Sequence, residues 1–135
     1  MFLSKLSKAD AVRMLKDFIR EELPEKEWYK NISPHVKAMI LYGSTAKGLN
    51  RADSDVDMLI IIPLAIEEKY TKGEYVYLFR EQEINIVLRS LERLRELAEK
   101  HDDSFQMEVF LESEILWEAD SEVRDLVEKI RGGKR

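Results

Sequence analysis

The amino-acid sequence predicts an α/β (α+β) protein, with a small mixed β-sheet of four to five strands and helices packed mainly on one face. Short apolar runs of strand length, closed by Gly43 and by Pro63, alternate with stretches in which apolar residues recur at helical spacing. The chain has 135 residues, the size of one domain. We therefore expect residues 1–135 to form a single folded unit.

The first predicted helix lies within residues 1–24. Ser7 and Asp10 are spaced as in a capping box, and apolar side chains then recur at helical spacing as far as Pro24. The polar stretch 25–34 contains embedded aromatic residues. We expect it to be a connector or a short second helix that packs these aromatics on the core.

The predicted strands fall within residues 36–90. Each strand is a short run of aliphatic, β-branched or aromatic residues. We assign them to residues 36–42, 56–62, 75–79 and 84–88. The first two should lie at the centre of the sheet, because they are almost wholly apolar. The last two should be antiparallel neighbours, with the earlier one at an edge.

Residues 91–131 are predicted to be a mainly helical C-terminal region. Ser90 is a suitable N-cap for a helix over 91–100, and residues 122–130 form an amphipathic pattern. The stretch 109–117 fits a strand and a helix equally well, so its assignment stays open.

Composition restricts the functional classes. The net charge of −5 gives no overall basic field, so duplex nucleic acid is not an expected ligand. The absence of cysteine excludes disulfides and thiolate chemistry and fits a reducing compartment. No apolar run approaches the ~18 residues of a membrane span, and the N-terminus lacks a signal-peptide pattern. We therefore expect a cytoplasmic protein.

Two aspartates carry the clearest chemical signal. Asp55 and Asp57 stand two positions apart at the start of a strand, so their side chains should share a sheet face. Two such carboxylates can converge on Mg²⁺, which proteins hold with carboxylates and substrate phosphates. Upstream, Gly43-Ser44 leaves a buried strand and enters a segment that can begin a helix. Free backbone N–H groups and a hydroxyl at that point suit a phosphate.

Two other phosphate- or metal-binding patterns fail on this segment. Its glycines have the spacing of a Walker A loop, but Leu49 and Asn50 replace the lysine and the hydroxyl residue that such a loop requires. A calcium loop beginning at Asp53 also fails, because Met58 takes the place of the glycine that permits the sharp turn.

The motif Gly43-Ser44, ten intervening residues and Asp55-Val56-Asp57 matches without a gap the signature of the DNA polymerase β nucleotidyltransferase superfamily. The sequence therefore resembles that superfamily. It looks most like the minimal nucleotidyltransferases (MNT), which are often paired with a HEPN-domain protein, because the chain is hardly longer than a catalytic core. The resemblance implies the nucleotidyltransferase fold, with its catalytic core within residues 36–90.

The resemblance implies roles for individual residues. Gly43-Ser44 would hold the β and γ phosphates of a nucleoside triphosphate, and Asp55 and Asp57 would bind Mg²⁺. Lys47 and Arg51 lie close to this loop in the sequence and would neutralise charge on the triphosphate.

The family normally adds a third carboxylate from a later strand. Here the matching strand reads Glu83-Ile84-Asn85-Ile86-Val87, with Asn85 where the aspartate belongs. Asparagine is neutral and cannot act as a general base. Glu83, two residues earlier on the same strand face, is the candidate to supply the carboxylate. The alternative is that Glu83 is an ordinary solvated charge at a strand end.

The function implied by the resemblance is Mg²⁺-dependent transfer of a nucleoside monophosphate, AMP from ATP, to a hydroxyl. The implied acceptor is a HEPN toxin partner, which would make the chain the antitoxin of a toxin–antitoxin pair. The alternative, kept open by Asn85, is a catalytically weak nucleotide-binding module that neutralises a partner by binding it. Transfer to a small molecule such as an aminoglycoside is disfavoured, because so short a chain leaves little room for an acceptor pocket. The nucleobase, the number of metal ions and the formation of a homo-oligomer stay open.

Overall fold

The computed structural model describes residues 7–46, 55–70 and 74–132, without the side chains of residues 44, 45 and 74. In these ranges the strands are β1 (Ala38–Tyr42), β2 (Val56–Ile62), β3 (Glu74–Phe79), β4 (Gln82–Ser90) and β5 (Glu114–Glu118). The α-helices are α1 (Lys8–Glu21), α2 (Glu27–Ile32), α3 (Gly43–Ala46), α4 (Leu64–Glu67), α5 (Leu91–Lys100), α6 (Ser104–Leu111) and α7 (Glu122–Gly132). Short 3₁₀ turns cover Leu23–Glu25 and Ser33–His35. None of the helices in these ranges combines the length and the apolar composition that crossing a bilayer requires.

The five strands form one mixed sheet in the order β3-β4-β2-β1-β5. β2 and β4 pair in parallel, whereas β1 pairs antiparallel with both β2 and β5, and β3 pairs antiparallel with β4. The predicted mixed sheet is therefore confirmed. So are the central positions of the first two predicted strands and the edge position of β3.

Helices cover both faces of this sheet. One face packs on α1 and α2, and the other on α5, α6 and α7. The prediction that helices pack mainly on one face was wrong in this respect. The physical reason lies in β2, where neighbouring residues such as Met58 and Leu59 point to opposite faces and are both fully buried. A strand that is apolar on both faces needs cover on both.

The predicted helix starts are confirmed at two N-caps. The backbone N–H of Asp10 donates to Ser7 Oγ at 3.0 Å, where α1 begins. The backbone N–H of Arg93 donates to Ser90 Oγ at 3.1 Å, where α5 begins. In both cases a hydroxyl satisfies one of the N–H groups that a helix leaves without an intrahelical partner.

The stretch left open by the sequence, 109–117, contains parts of two elements. α6 ends at Leu111 and β5 begins at Glu114, so the C-terminal region 91–131 includes a strand as well as helices. β5 pairs with β1, with Met39 opposite Trp117. Pairing with a strand that is distant in the sequence thus determines the conformation here, and a local pattern cannot reveal it.

The hairpin between β3 and β4 has a turn of two residues, Arg80 and Glu81, with φ angles of 51° and 65°. Positive φ at both positions is what a type I′ turn requires, and it is unfavourable for residues with a side chain. Arg80 has compensating contacts, because it donates to Asp17 at 2.8 Å and lies over the Phe79 ring at 4.8 Å.

Replacing Glu81 by glycine should therefore stabilise the protein. Glycine adopts positive φ without steric conflict, and we expect Glu81→Gly to raise the free energy of unfolding by roughly 0.5–1 kcal/mol, measured by urea denaturation. Glu81→Ala is the matched control, since it removes the same side chain and keeps the strained backbone, and it should give no gain. A less stable Glu81→Gly variant would contradict the argument.

Candidate active site

The pairing of β2 with β4 brings together the residues that the sequence singles out. In this parallel register Asp57 lies beside Asn85, and Val56 lies beside Ile84. Val56 and Ile84 are fully buried in the core beneath α1. Asp57 and Asn85 therefore point to the opposite face, where both are half-buried.

Asn85 contacts both aspartates. Its Nδ2 donates to Asp55 Oδ2 at 2.8 Å and, over a longer distance of 3.4 Å, to Asp57 Oδ1. The amide must present its N–H groups here, because ionised carboxylates can only accept hydrogen bonds. Oxygens of Asp55 and Asp57 thus face one common point, as the sequence predicts for carboxylates on one sheet face.

Glu83 is the third carboxylate in this neighbourhood. A hydrogen bond with Asp55 raises the pKa of Glu83 above its ordinary value, and the negative charge of Asp55 and partial desolvation act in the same direction. Glu83 therefore lies beside Asp55.

Gly43 follows β1 directly and approaches Asp57 closely. Its φ is +80°, and a Cβ atom at this position would lie 2.5 Å from Asp57 Oδ2. No side chain fits there unless Asp57 moves. The sequence predicts a phosphate-binding role for this glycine, but it does not reveal that the glycine also makes room for the aspartate. The pairing of β1 with β2, which sets Tyr42 opposite Asp57, could have indicated this close approach.

The remaining predicted phosphate contacts are only partly described. The backbone of Ser44 lies in α3, in accordance with the predicted short helical segment, but its side chain is not among those described. Lys47 and Arg51 lie outside the described residues. Their proposed contacts with a triphosphate stay predictions.

The two aspartates fit a hard divalent cation by chemistry. Their oxygens face one point, and the missing Cβ of Gly43 allows Asp57 to hold its position there. Across residues 7–46, 55–70 and 74–132, no three His, Asp or Glu side chains are grouped as metal ligands. Mg²⁺ is commonly held by one or two carboxylates together with substrate phosphates, so a pair of aspartates is a sufficient protein contribution.

A cavity of about 540 Å³ lies on the same sheet face, between β4, α4, α5 and α6. Its wall begins at Val87, the next residue of β4 on the face of Asn85, at about two strand rises of ~3.3 Å each. The charged residues that line it are Glu67, Arg89, Arg93, Glu96, Asp102 and Asp103. The cavity is within the size range of small-molecule sites, about 300–1,000 Å³. The short chain thus does have room for a pocket, contrary to the expectation from its length.

Glu67 is a partly buried carboxylate of the cavity wall. Its Oε1 lies 3.8 Å from an Arg93 nitrogen, and its Oε2 is buried without a hydrogen-bond partner among the described residues. Arg89, on the cavity floor, donates to the neutral amide oxygen of Gln106. The Glu67 carboxylate thus adds a negative charge to the cavity wall, with Arg93 as an ion-pair partner at 3.8 Å.

Comparison with known proteins agrees with the fold. The family model for "Polymerase beta, Nucleotidyltransferase" matches residues 26–122. A solved structure, the nucleotidyltransferase-like protein from Exiguobacterium sibiricum 255-15, is similar in fold with a TM-score of 0.53 and 15% sequence identity. The match covers 83% of this chain and 38% of that one. None of the curated proteins compared with the sequence matches it.

The family model's match over residues 26–122 covers the sheet, the Gly43 turn and both aspartates. The chain therefore belongs to the polymerase β nucleotidyltransferase family.

Proposed function

We propose that this protein transfers a nucleoside monophosphate, AMP from ATP, to a hydroxyl group in a Mg²⁺-dependent reaction. The observation that carries the proposal is the convergence of Asp55 and Asp57 on one point beside the Gly43 turn. Membership of the polymerase β nucleotidyltransferase family supports the same reaction class.

Each residue of the site has a proposed role. Asp55 and Asp57 hold Mg²⁺, which neutralises charge on the triphosphate and polarises its α-phosphate. Gly43 and Ser44, at the start of α3, hold the β and γ phosphates. The acceptor oxygen forms a bond to the α-phosphorus as the bond to the bridging oxygen breaks, and pyrophosphate leaves. Glu83, beside Asp55, takes the proton from the acceptor hydroxyl.

The proposed acceptor is a hydroxyl on a HEPN-domain partner, which would be the toxin of a toxin–antitoxin pair. This choice rests on the resemblance to the minimal nucleotidyltransferases and not on a contact in the chain. The alternative is a binding module that recognises nucleotide and Mg²⁺ but neutralises its partner by covering it. Asn85 favours this alternative, because it replaces a carboxylate with a neutral amide beside both aspartates.

A second acceptor class, a small molecule with amino and hydroxyl groups, is supported by the cavity next to Asn85. Four carboxylates and two guanidinium groups line it, so a cationic ligand is favoured over an anionic one. The Glu67 carboxylate is one of the negative charges of this wall.

Loss of the two aspartates should abolish nucleotide transfer. Asp55→Asn and Asp57→Asn keep the shape of each side chain and remove the charge that holds Mg²⁺. We expect label transfer from radiolabelled ATP to the HEPN partner to fall by at least about a hundredfold in each variant. Asp125→Asn, an exposed aspartate on α7, is the matched control and should transfer like the unmodified protein. Mg²⁺-dependent ATP binding without any label transfer by the unmodified protein would favour the binding module.

Removal of the proposed general base should lower the transfer rate while leaving nucleotide binding intact. We expect Glu83→Gln to reduce kcat by about 10²–10⁴-fold, the range for a general base, with little change in Mg²⁺–ATP affinity measured by calorimetry. Glu81→Gln, two residues away in the exposed turn, is the control. Undiminished transfer by Glu83→Gln would show that Glu83 is only a solvated charge at the strand end.

The small-molecule alternative predicts a selective effect at Glu67. With an aminoglycoside as the acceptor, Glu67→Gln should raise KM for that acceptor by roughly tenfold or more, because the cavity wall loses one negative charge that attracts the cationic ligand. Transfer to a protein partner should not change. Glu68→Gln is the control, since this neighbouring glutamate is exposed and does not line the cavity. Equal KM values for both variants, or no transfer to the aminoglycoside, would exclude the cavity as its binding site.

A further inference from the structure

The side-chain amide of Asn85 acts as a hydrogen-bond donor to the carboxylates of Asp55 and Asp57. It does not act as a base. Its NH₂ group has two hydrogens, and its Nδ2 lies within hydrogen-bond distance of one oxygen on Asp55 and one on Asp57. Asp57 lies directly beside Asn85 in the pairing of β2 with β4. Asp55 lies two residues before Asp57, just ahead of β2. One side chain therefore joins two acceptors that would otherwise repel each other.

We infer that Asn85 is a positioning residue whose NH₂ group keeps the carboxylates of Asp55 and Asp57 together when no cation is bound. The inference rests on the proposed metal site, but it does not require that transfer takes place. An aspartate at position 85 would supply no donor and would add a negative charge between the two carboxylates.

The same hydrogen bonds must lower the affinity for a cation. Contacts that stabilise the cation-free protein are given up in part when Asp55 and Asp57 turn their oxygens to an ion, and this loss is subtracted from the binding free energy. Asn85 thus lowers the affinity of the site for a cation, and it keeps the two carboxylates close together when no cation is bound. A protein with aspartate at position 85 should bind a cation more tightly and should be less stable without one.

The test compares thermal stability and Mn²⁺ binding in the absence of nucleotide. In EDTA, we expect Asn85→Asp to melt about 3–6 °C below the unmodified protein, with most of the difference removed by saturating Mg²⁺. Electron paramagnetic resonance should show Mn²⁺ binding that is roughly tenfold tighter, because the ligand charge increases. Gln82→Glu is the control, since it makes the same amide-to-carboxylate change on the same strand but the opposite sheet face.

A charge-swapped variant separates positioning from packing. Asp57→Asn combined with Asn85→Asp keeps one amide and the same number of carboxylates in the pair, so its melting temperature in EDTA should return close to that of the unmodified protein. If Asn85→Asp does not fold, Asn85→Ala removes the donors without adding charge, and it should lose stability in EDTA and regain it in Mg²⁺.

Two outcomes overturn the inference: equal melting of Asn85→Asp and the unmodified protein in EDTA, or a swapped variant that stays as unstable as Asn85→Asp. These readouts are independent of transfer. Loss of stability in EDTA without any Mn²⁺ binding would refute the proposed metal site and still support the positioning role. Normal Mn²⁺ behaviour without transfer would refute only the proposed reaction.

Discussion

The parallel pairing of β2 with β4 is the constraint on which the rest of the site depends. It sets Asp57 beside Asn85, and its seven residue pairs extend from Val56 and Ile84 to Ile62 and Ser90. β2 is held in this register by its apolar side chains, each of which contributes about 1.5–3 kcal/mol when fully buried. The exposed ion pairs on the helices contribute at most about 1 kcal/mol each. The hydrophobic core, and not the charged surface, therefore fixes the geometry of the carboxylates.

Much of the fold is visible in the sequence because its signals are local. A hydroxyl before a periodic stretch identifies the beginning of α1 and of α5, and the continuous apolar run of β2 identifies a buried strand. The spacing between Gly43 and Asp55 is a local signal as well. It can be recognised without knowledge of the fold, because the glycine and the aspartates are brought together by two consecutive strands.

The features that sequence reasoning missed depend on partners far away in the chain. The two-sided helix cover follows from how α1 and α5 to α7 distribute over the sheet, and no periodicity specifies that distribution. The end of α6 and the start of β5 are decided by pairing with β1. Asn85 could be recognised only as a missing base, because its hydrogen bonds to Asp55 and Asp57 exist only once β4 lies beside β2. The cavity is bounded by four elements and has no sequence signature.

The single buried residue between Glu83 and Asn85 has a consequence for how such a site can vary in evolution. Ile84 is fixed in the core, and the alternation of the strand sends its two neighbours to the other face. A substitution at 83 or 85 changes the chemistry of one group, whereas the insertion of one residue within this stretch would send Asn85 into the core beneath α1. The length of β4 is thus under stronger constraint than the identity of its polar residues. A family built in this way can exchange aspartate for asparagine at one position while its strand spacing stays the same.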